Sequence, residues 1–262
     1  MKVKKRDGRL EEFSKDKIVK TAVRAGLSVD KARKVAEEVE KKIYDGITTD
    51  EILSIVLSEI EKLSKNVSAR YGLKSSLLRL GPAGYRFEKF VSSLLREYGY
   101  KTRLNELIKG KCVTHEVDVV AEKEKRYLVE CKFHNTPTYT GLKEVLYSYA
   151  RFLDIAEVVK DFDGVWVFTN TKFSSEATKF AECRGIKLTG WRYPENEGIE
   201  ALLERKKLYP VTVLKLSNFE VEELLRNGFA FCNEIVENEK KIAELFGKRA
   251  REIIAEAEAV VQ

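Results

Sequence analysis

The stretch HEVDVVAEKEKRYLVECK, His115 to Lys132, brings Asp118, Glu130 and Lys132 together around a predicted β-hairpin. Residues two apart on a strand share a face, so Glu130 and Lys132 point one way while Val129, Cys131 and Phe133 point the other. If the hairpin turns about Glu124, Asp118 falls opposite Glu130, and Glu116 opposite Lys132. Opposed pairs have Cβ atoms about 5 Å apart, and two carboxylates at that distance repel by roughly 3 kcal/mol at an effective dielectric of about 20. Something positive is needed between them. A Mg²⁺ ion is one answer, because hard cations prefer carboxylate oxygens and keep positions open for water and phosphate. Lys132 neutralising its neighbours on a solvated hairpin face is the other, and the three residues alone leave both open.

The elements that must hold this hairpin follow from periodicity. Phe87, Phe90, Val91, Leu94, Leu95 and Tyr98 recur at helical spacing before it, and Gly99-Tyr100 ends that helix. After it come a predicted helix over 140–159, a β-branched strand GVWVFTN, a helix over 174–183 and a strand IKLTGW. Helices alternating with buried strands predict an α/β layer. Upstream, VKKRDGRLEEF reads as two short strands about Asp7-Gly8. Helices follow: Ser14 is placed to cap the first, Ala32, Val35, Ala36, Val39 and Ile43 form the stripe of the second, Thr48 with Glu51 predicts a capping box on the third, and a fourth runs over about 67–80. Boundaries are expected at Gly81-Pro82 and near Pro194, dividing the chain into 1–80, 81–194 and 195–262.

Composition sets limits on this picture. The chain has 262 residues, 44% hydrophobic and 34% charged, with a formal net charge of +6, enough apolar material for more than one core. The charge is uneven: residues 1–80 carry 19 basic and 13 acidic side chains, whereas 197–262 carry 10 and 13. A basic excess in the first part is compatible with a polyanionic partner. Cys112, Cys131, Cys183 and Cys232 are isolated, without CxxC pairing, which argues against a disulfide framework or a structural zinc site. No apolar h-region or bilayer-length apolar run occurs, so a cytoplasmic protein with no membrane partner is expected.

The order GYRFEKFVSSLLREYGY, HEVDVV, YLVECK, then GVWVFTNTKFSSEATKFAECRGIKLTGW resembles the Mrr-like branch of the PD-(D/E)XK nuclease superfamily over about residues 82–194. Phe87-Glu88, Asp118, Glu130-Cys131-Lys132 and the segment from Phe173 to Ile186 carry the match. Glu130 departs from the Gln common in Mrr proteins and keeps the acidic form of the wider superfamily. The resemblance implies that Asp118 and Glu130 bind Mg²⁺ with the Cys131 carbonyl as a further ligand. It also implies that Lys132 positions the attacking water and stabilises developing charge, and that Glu88 holds a water. His115 and His134 lie outside the motif and read as polar strand-end residues. Tyr139, Lys143 and Tyr147 could meet the phosphate backbone or simply form an exposed helix face.

VKKRDGRLEEFSKDKI, DGITTDEI and ARYGLK resemble the ATP-cone, a nucleotide-binding regulatory module of ribonucleotide reductases. This implies that Lys5, Arg6 and Lys17 meet a triphosphate, with Val3, Glu11 and Thr49 at nucleotide contacts and Lys74 or Arg79 supplying a further basic group. The C-terminal helices resemble a helix-hairpin-helix domain turning at Gly228 and Gly247. Their net negative charge gives equal standing to a packing or dimerisation module, and with it a homodimer.

The expectation is thus a multidomain α/β protein. It comprises an N-terminal β-hairpin plus helical bundle, a central restriction-endonuclease-like α/β/α mixed sheet, and a small all-α C-terminal domain. Its expected activity is that of a Mg²⁺-dependent DNA endonuclease, with ATP or dATP as regulatory ligand. The alternative is a non-catalytic, nucleotide-sensing DNA-binding protein on a nuclease scaffold.

Overall fold

Two short strands open the chain in the computed structural model, which describes residues 1–5, 8–81, 84–136 and 138–262. Strands β1 (Lys2–Lys4) and β2 (Leu10–Glu12) are antiparallel, with Val3 opposite Glu11. Gly8 has φ +84°, a left-handed value that glycine adopts without a Cβ clash. Arg6 and Asp7 lie outside the described residues. Helices α1 (Lys15–Arg24), α2 (Val29–Glu40), α3 (Thr49–Glu61) and α4 (Lys65–Leu78) follow. The α3 capping box forms as the sequence implies: Thr48 Oγ1 accepts from the Glu51 N–H at 3.2 Å, and Glu51 accepts from the Thr48 N–H at 2.9 Å. Ser14 occupies the N-cap of α1 in extended conformation, but its side chain makes no capping bond.

Next come α5 (Gly84–Glu97), β3 (Lys101–Lys109), β4 (Thr114–Glu122), β5 (Arg126–Lys132), β6 (Tyr139–Thr140), α6 (Leu142–Val158), β7 (Gly164–Thr169), β8 (Lys172–Phe173), α7 (Ser175–Arg184) and β9 (Lys187–Thr189). Helices α8 (Ile199–Lys206), α9 (Asn218–Arg226), α10 (Cys232–Glu237), α11 (Glu239–Phe246) and α12 (Ala250–Val261) complete the chain. None of the described helices is long and apolar enough to cross a membrane.

The chain forms two compact units, one from residues 1–75 with 235–262, the other from 76–234. In the first, Val3 from the hairpin joins Ile18, Ala22, Val35, Val39, Val56 and Ile60 in one core, and Asn66 Nδ2 donates to the Val260 carbonyl at 2.6 Å.

The second unit is built on a five-stranded mixed sheet in the order β3-β4-β5-β7-β9. Its first three strands are antiparallel, and β5, β7 and β9 are parallel. The β4–β5 register pairs Val119 with Val129 and Glu122 with Arg126, centring the turn on Glu124 as the hairpin pattern requires. Val120, Leu128 and Ile155 share one core, and Val145, Val165, Val167 and Ala177 another, so α6 and α7 cover one face. Alternation sends Val129, Trp166 and Phe168 to the other face, and α5 packs along β3, β4 and β5.

Strand β3 is not apparent in the sequence. Its residues alternate between exposed and half-buried, with none fully buried, and Asn105 at φ +52° interrupts the pleat, so KTRLNELIK lacks an apolar strand signature. Helix α5 is tied down by apolar and polar contacts alike. Phe90 is fully buried between Phe87 and Phe231, with ring centroids 6.0 and 5.6 Å away. The Arg86 Nε donates to the Glu222 carboxylate of α9 at 2.8 Å. Phe90→Ala is expected to destabilise the second unit by about 3–5 kcal/mol, measured as a lowered guanidinium midpoint; a change below about 1 kcal/mol would show that α5 does not anchor this core.

Candidate active site

The sheet positions the carboxylates directly. Asp118 lies one step beyond the terminal β4–β5 pair, Val119 with Val129, on the line that leads to Glu130. There the Cys131 N–H donates to Asp118 Oδ2 at 2.7 Å. Glu130 is only 4% exposed, and both its oxygens are ion-paired: Oε1 lies 2.5 Å from Lys132 Nζ, and Oε2 meets the Arg151 guanidinium of α6. Glu88 of α5 joins from the next layer, accepting from Asn105 Nδ2 at 3.1 Å. Asn105 occupies the gap in the β3–β4 register between Leu104–Val119 and Glu106–Val117, which is the position facing Asp118.

Burial first, and then the Glu130 charge, push the Asp118 carboxyl up to about 7, against the lowering effect of the Cys131 N–H. Burial also raises Glu88, with Glu116 and Glu130 adding to it and the Asn105 hydrogen bond opposing. For Lys132, burial favours the neutral amine, but the Glu130 hydrogen bond and the Glu130 and Asp118 charges outweigh it and raise its pKa. The Cys131 thiol is pushed well up by burial, and strand alternation turns its side chain to the face opposite Glu130 and Lys132.

The Asp118 and Glu130 carboxylates, with the Cys131 carbonyl that the resemblance adds, would supply hard oxygen donors. Oδ1 of Asp118 has no hydrogen-bond partner among the described residues, and this carboxylate is short of positive charge. These features fit Mg²⁺, which keeps several waters. Among the described residues no group of three His, Cys, Asp or Glu side chains gathers closely enough to hold a metal ion, so water and substrate oxygens would complete the shell.

The other residues singled out by sequence divide into two groups. His115 Nε2 lies 2.7 Å from Asp154, and His134 pairs with Thr140 and the Asn170 side chain, so both histidines serve as structural ties. Tyr139, Lys143 and Tyr147 are exposed. Arg151 and Asn105 are not singled out by the sequence. Arg151 had a faint signal, as a basic residue one helical turn after Tyr147 on a largely apolar helix; Asn105 had only the tolerance of Asn for left-handed backbone.

In the first unit, Lys5 Nζ and Lys17 Nζ lie 3.0 and 3.3 Å from one Glu11 oxygen, and the Lys5 hydrogen bond, then that of Lys17, lowers the Glu11 pKa. Thr49 is the first residue of α3, and Val3 is buried. Arg6 lies outside the described residues. Arg79 belongs to the second unit, where its guanidinium donates to the carbonyls of Thr212, Leu214 and Leu216.

Comparison with known proteins matches residues 1–73 to the ATP cone domain, 82–190 to a restriction endonuclease domain, and 209–261 to the AF1548-like C-terminal domain. A crystal structure of AF1548, a protein of unknown function, superposes with a TM-score of 0.64 at 52% identity, covering 68% of this chain and 98% of that one. An uncharacterised protein of Archaeoglobus fulgidus is 54% identical over 175 residues, 65% of this chain and 99% of its own length. The chain belongs to the AF1548-like family. A second uncharacterised A. fulgidus protein is 61% identical over 41 residues, 16% of this chain and 87% of its own. This AF1548-like protein thus joins an ATP-cone domain to a restriction endonuclease domain.

The Asp118 shift sets a stability signature. A carboxyl raised from 3.8 to about 7 on folding stabilises the fold fully below the lower value and loses that contribution as pH rises through the upper. Metal-free protein is therefore expected to lose stability between about pH 4 and 7 through this group, and Asp118→Asn to gain on the order of 1–3 kcal/mol at pH 8. Thermal melts across that range check it; a variant that melts lower than the parent at pH 8 contradicts it.

Proposed function

We propose that this protein is a Mg²⁺-dependent endonuclease that hydrolyses DNA phosphodiesters, and that its N-terminal cone binds ATP or dATP as a regulatory ligand. The observation that carries the reading is the gathering of Asp118, Glu130 and Lys132 at the end of β5, inside the segment that matches restriction endonucleases. Asp118 and Glu130, with the Cys131 carbonyl, would hold the ion. When bound, Mg²⁺ supplies polarisation of the phosphate and acidification of a water. Lys132, kept protonated by its carboxylate neighbours, presents an ammonium to charge developing on phosphate oxygens. Glu88, held by Asn105, accepts a hydrogen bond from the attacking water. In the cone, Lys5 and Lys17 already converge on one carboxylate oxygen of Glu11, and a triphosphate offers them the same kind of acceptor with more charge.

A second reading has one observation in its favour: both oxygens of Glu130 are satisfied by the chain's own cations, as a non-catalytic, nucleotide-sensing DNA-binding scaffold would also require. Under it, ATP and DNA bind without metal-dependent cleavage.

Asp118→Ala and Lys132→Ala are each expected to reduce Mg²⁺-dependent cleavage by about 10²–10³-fold, assayed on linear, branched and methylated duplexes. Undiminished cleavage by either variant, or none by the parent on any substrate, sinks the enzyme reading. Lys17→Ala is expected to weaken ATP binding by about tenfold, read by calorimetry; equal affinity removes Lys17 from the nucleotide site.

A further inference from the structure

Arg151 stands outside the nuclease motif, yet it makes the contact that most affects the proposed metal site. It reaches from α6 to Oε2 of Glu130, the oxygen that Lys132 does not take. Its guanidinium carbon also lies 4.9 Å from the ring centroid of Tyr147, one turn earlier on the same helix face. Tyr147 is 58% exposed, whereas the Glu130 carboxylate is buried. The guanidinium therefore spans from the buried carboxylate to the surface. Its Nε is buried without a hydrogen-bond partner, so this arrangement leaves one donor unsatisfied and is not the guanidinium's best environment.

Acidic side chains outnumber basic ones around the site: Asp118, Glu130, Glu88 and Glu116 against Lys132 and Arg151. A divalent cation would offset that excess of negative charge. An ion bound through Glu130 must also compete with the cations already there. Lys132 is two residues away on the same strand and stays close to Glu130 whatever the carboxylate binds. Arg151 stands on a long side chain from another element and has an exposed aromatic face to move along.

We propose that Arg151 is a phosphate-positioning residue: it neutralises Glu130 until a divalent cation takes that carboxylate, and the released guanidinium then turns along Tyr147 to the DNA phosphate. This rests on the metal-site reading above. Binding of metal and of DNA are thereby coupled through one side chain, each favouring the other.

The test uses the full chain with Mn²⁺ as probe, titrated by calorimetry without DNA into the parent, Arg151→Gln, Arg151→Lys and Glu130→Gln. Binding of a duplex oligonucleotide in Ca²⁺ is followed in parallel over a range of salt, and circular dichroism melts confirm folding of each variant. Arg151→Gln, which removes the cation that competes for Glu130, is expected to bind Mn²⁺ about tenfold more tightly than the parent. It is also expected to bind duplex more weakly, with a salt slope reduced by about 0.9. Arg151→Lys, which keeps the charge and loses the fork, should fall between the two and stands in if Arg151→Gln fails to fold. Unchanged or weaker Mn²⁺ binding in the Arg151 variants, with a parent heat that Glu130→Gln abolishes, overturns the role of Arg151 and leaves the metal site standing. A parent that shows no Mn²⁺ heat overturns both.

Discussion

Holding acidic side chains close together at a half-buried strand end is the constraint on which the second unit depends. Water screens such charges poorly once they are enclosed, so each must find a compensating group or lose its charge. Glu130 is compensated twice, by Lys132 and Arg151. Asp118 is compensated by one main-chain N–H, and its raised pKa reflects the shortfall. The two carboxylates differ in environment although they lie on neighbouring strands. That asymmetry leaves Asp118 the less compensated of the two carboxylates.

The first unit follows the same logic in a milder form. Lys5 and Lys17 approach one Glu11 oxygen, so the cations expected to meet a triphosphate are held in place by a carboxylate of the hairpin. Glu11 is well exposed, and water weakens this cluster far more than the one around Glu130. In both units the chain supplies its own counter-ions to clustered charged side chains, which keeps those side chains close together.

The surrounding structure keeps these contacts in register. β4 and β5 are central in the sheet and hold Asp118 and Glu130 on backbone that cannot slip without exposing Val119, Val120, Leu128 and Val129. Asn105 accepts a left-handed conformation in the middle of β3 and holds Glu88, a departure from regular strand geometry of the kind that clusters near functional sites. Behind them, the Phe87–Phe90–Phe231 ring cluster and the Arg86–Glu222 pair fix α5, which carries Glu88.

The sequence by itself determined the local features. Period-two alternation and a turn at Glu124 specified the β4–β5 hairpin and the line from Asp118 to Glu130, because a strand's faces are set by its own residues. The Thr48–Glu51 capping box and the stripe from Ala32 to Val39 were legible for the same reason. The spacing of Phe87-Glu88, Asp118 and Glu130-Cys131-Lys132 pointed to the restriction endonuclease domain. Only the tertiary structure decided which charges meet: Arg151 is 21 residues from Glu130 and Asn105 is 17 from Glu88, and no local pattern links them. β3 escaped because half-burial at a sheet edge leaves little hydrophobic alternation. Ion pairing and edge pairing are set by where separate elements come to rest, and that placement is a property of the packed core rather than of any one segment.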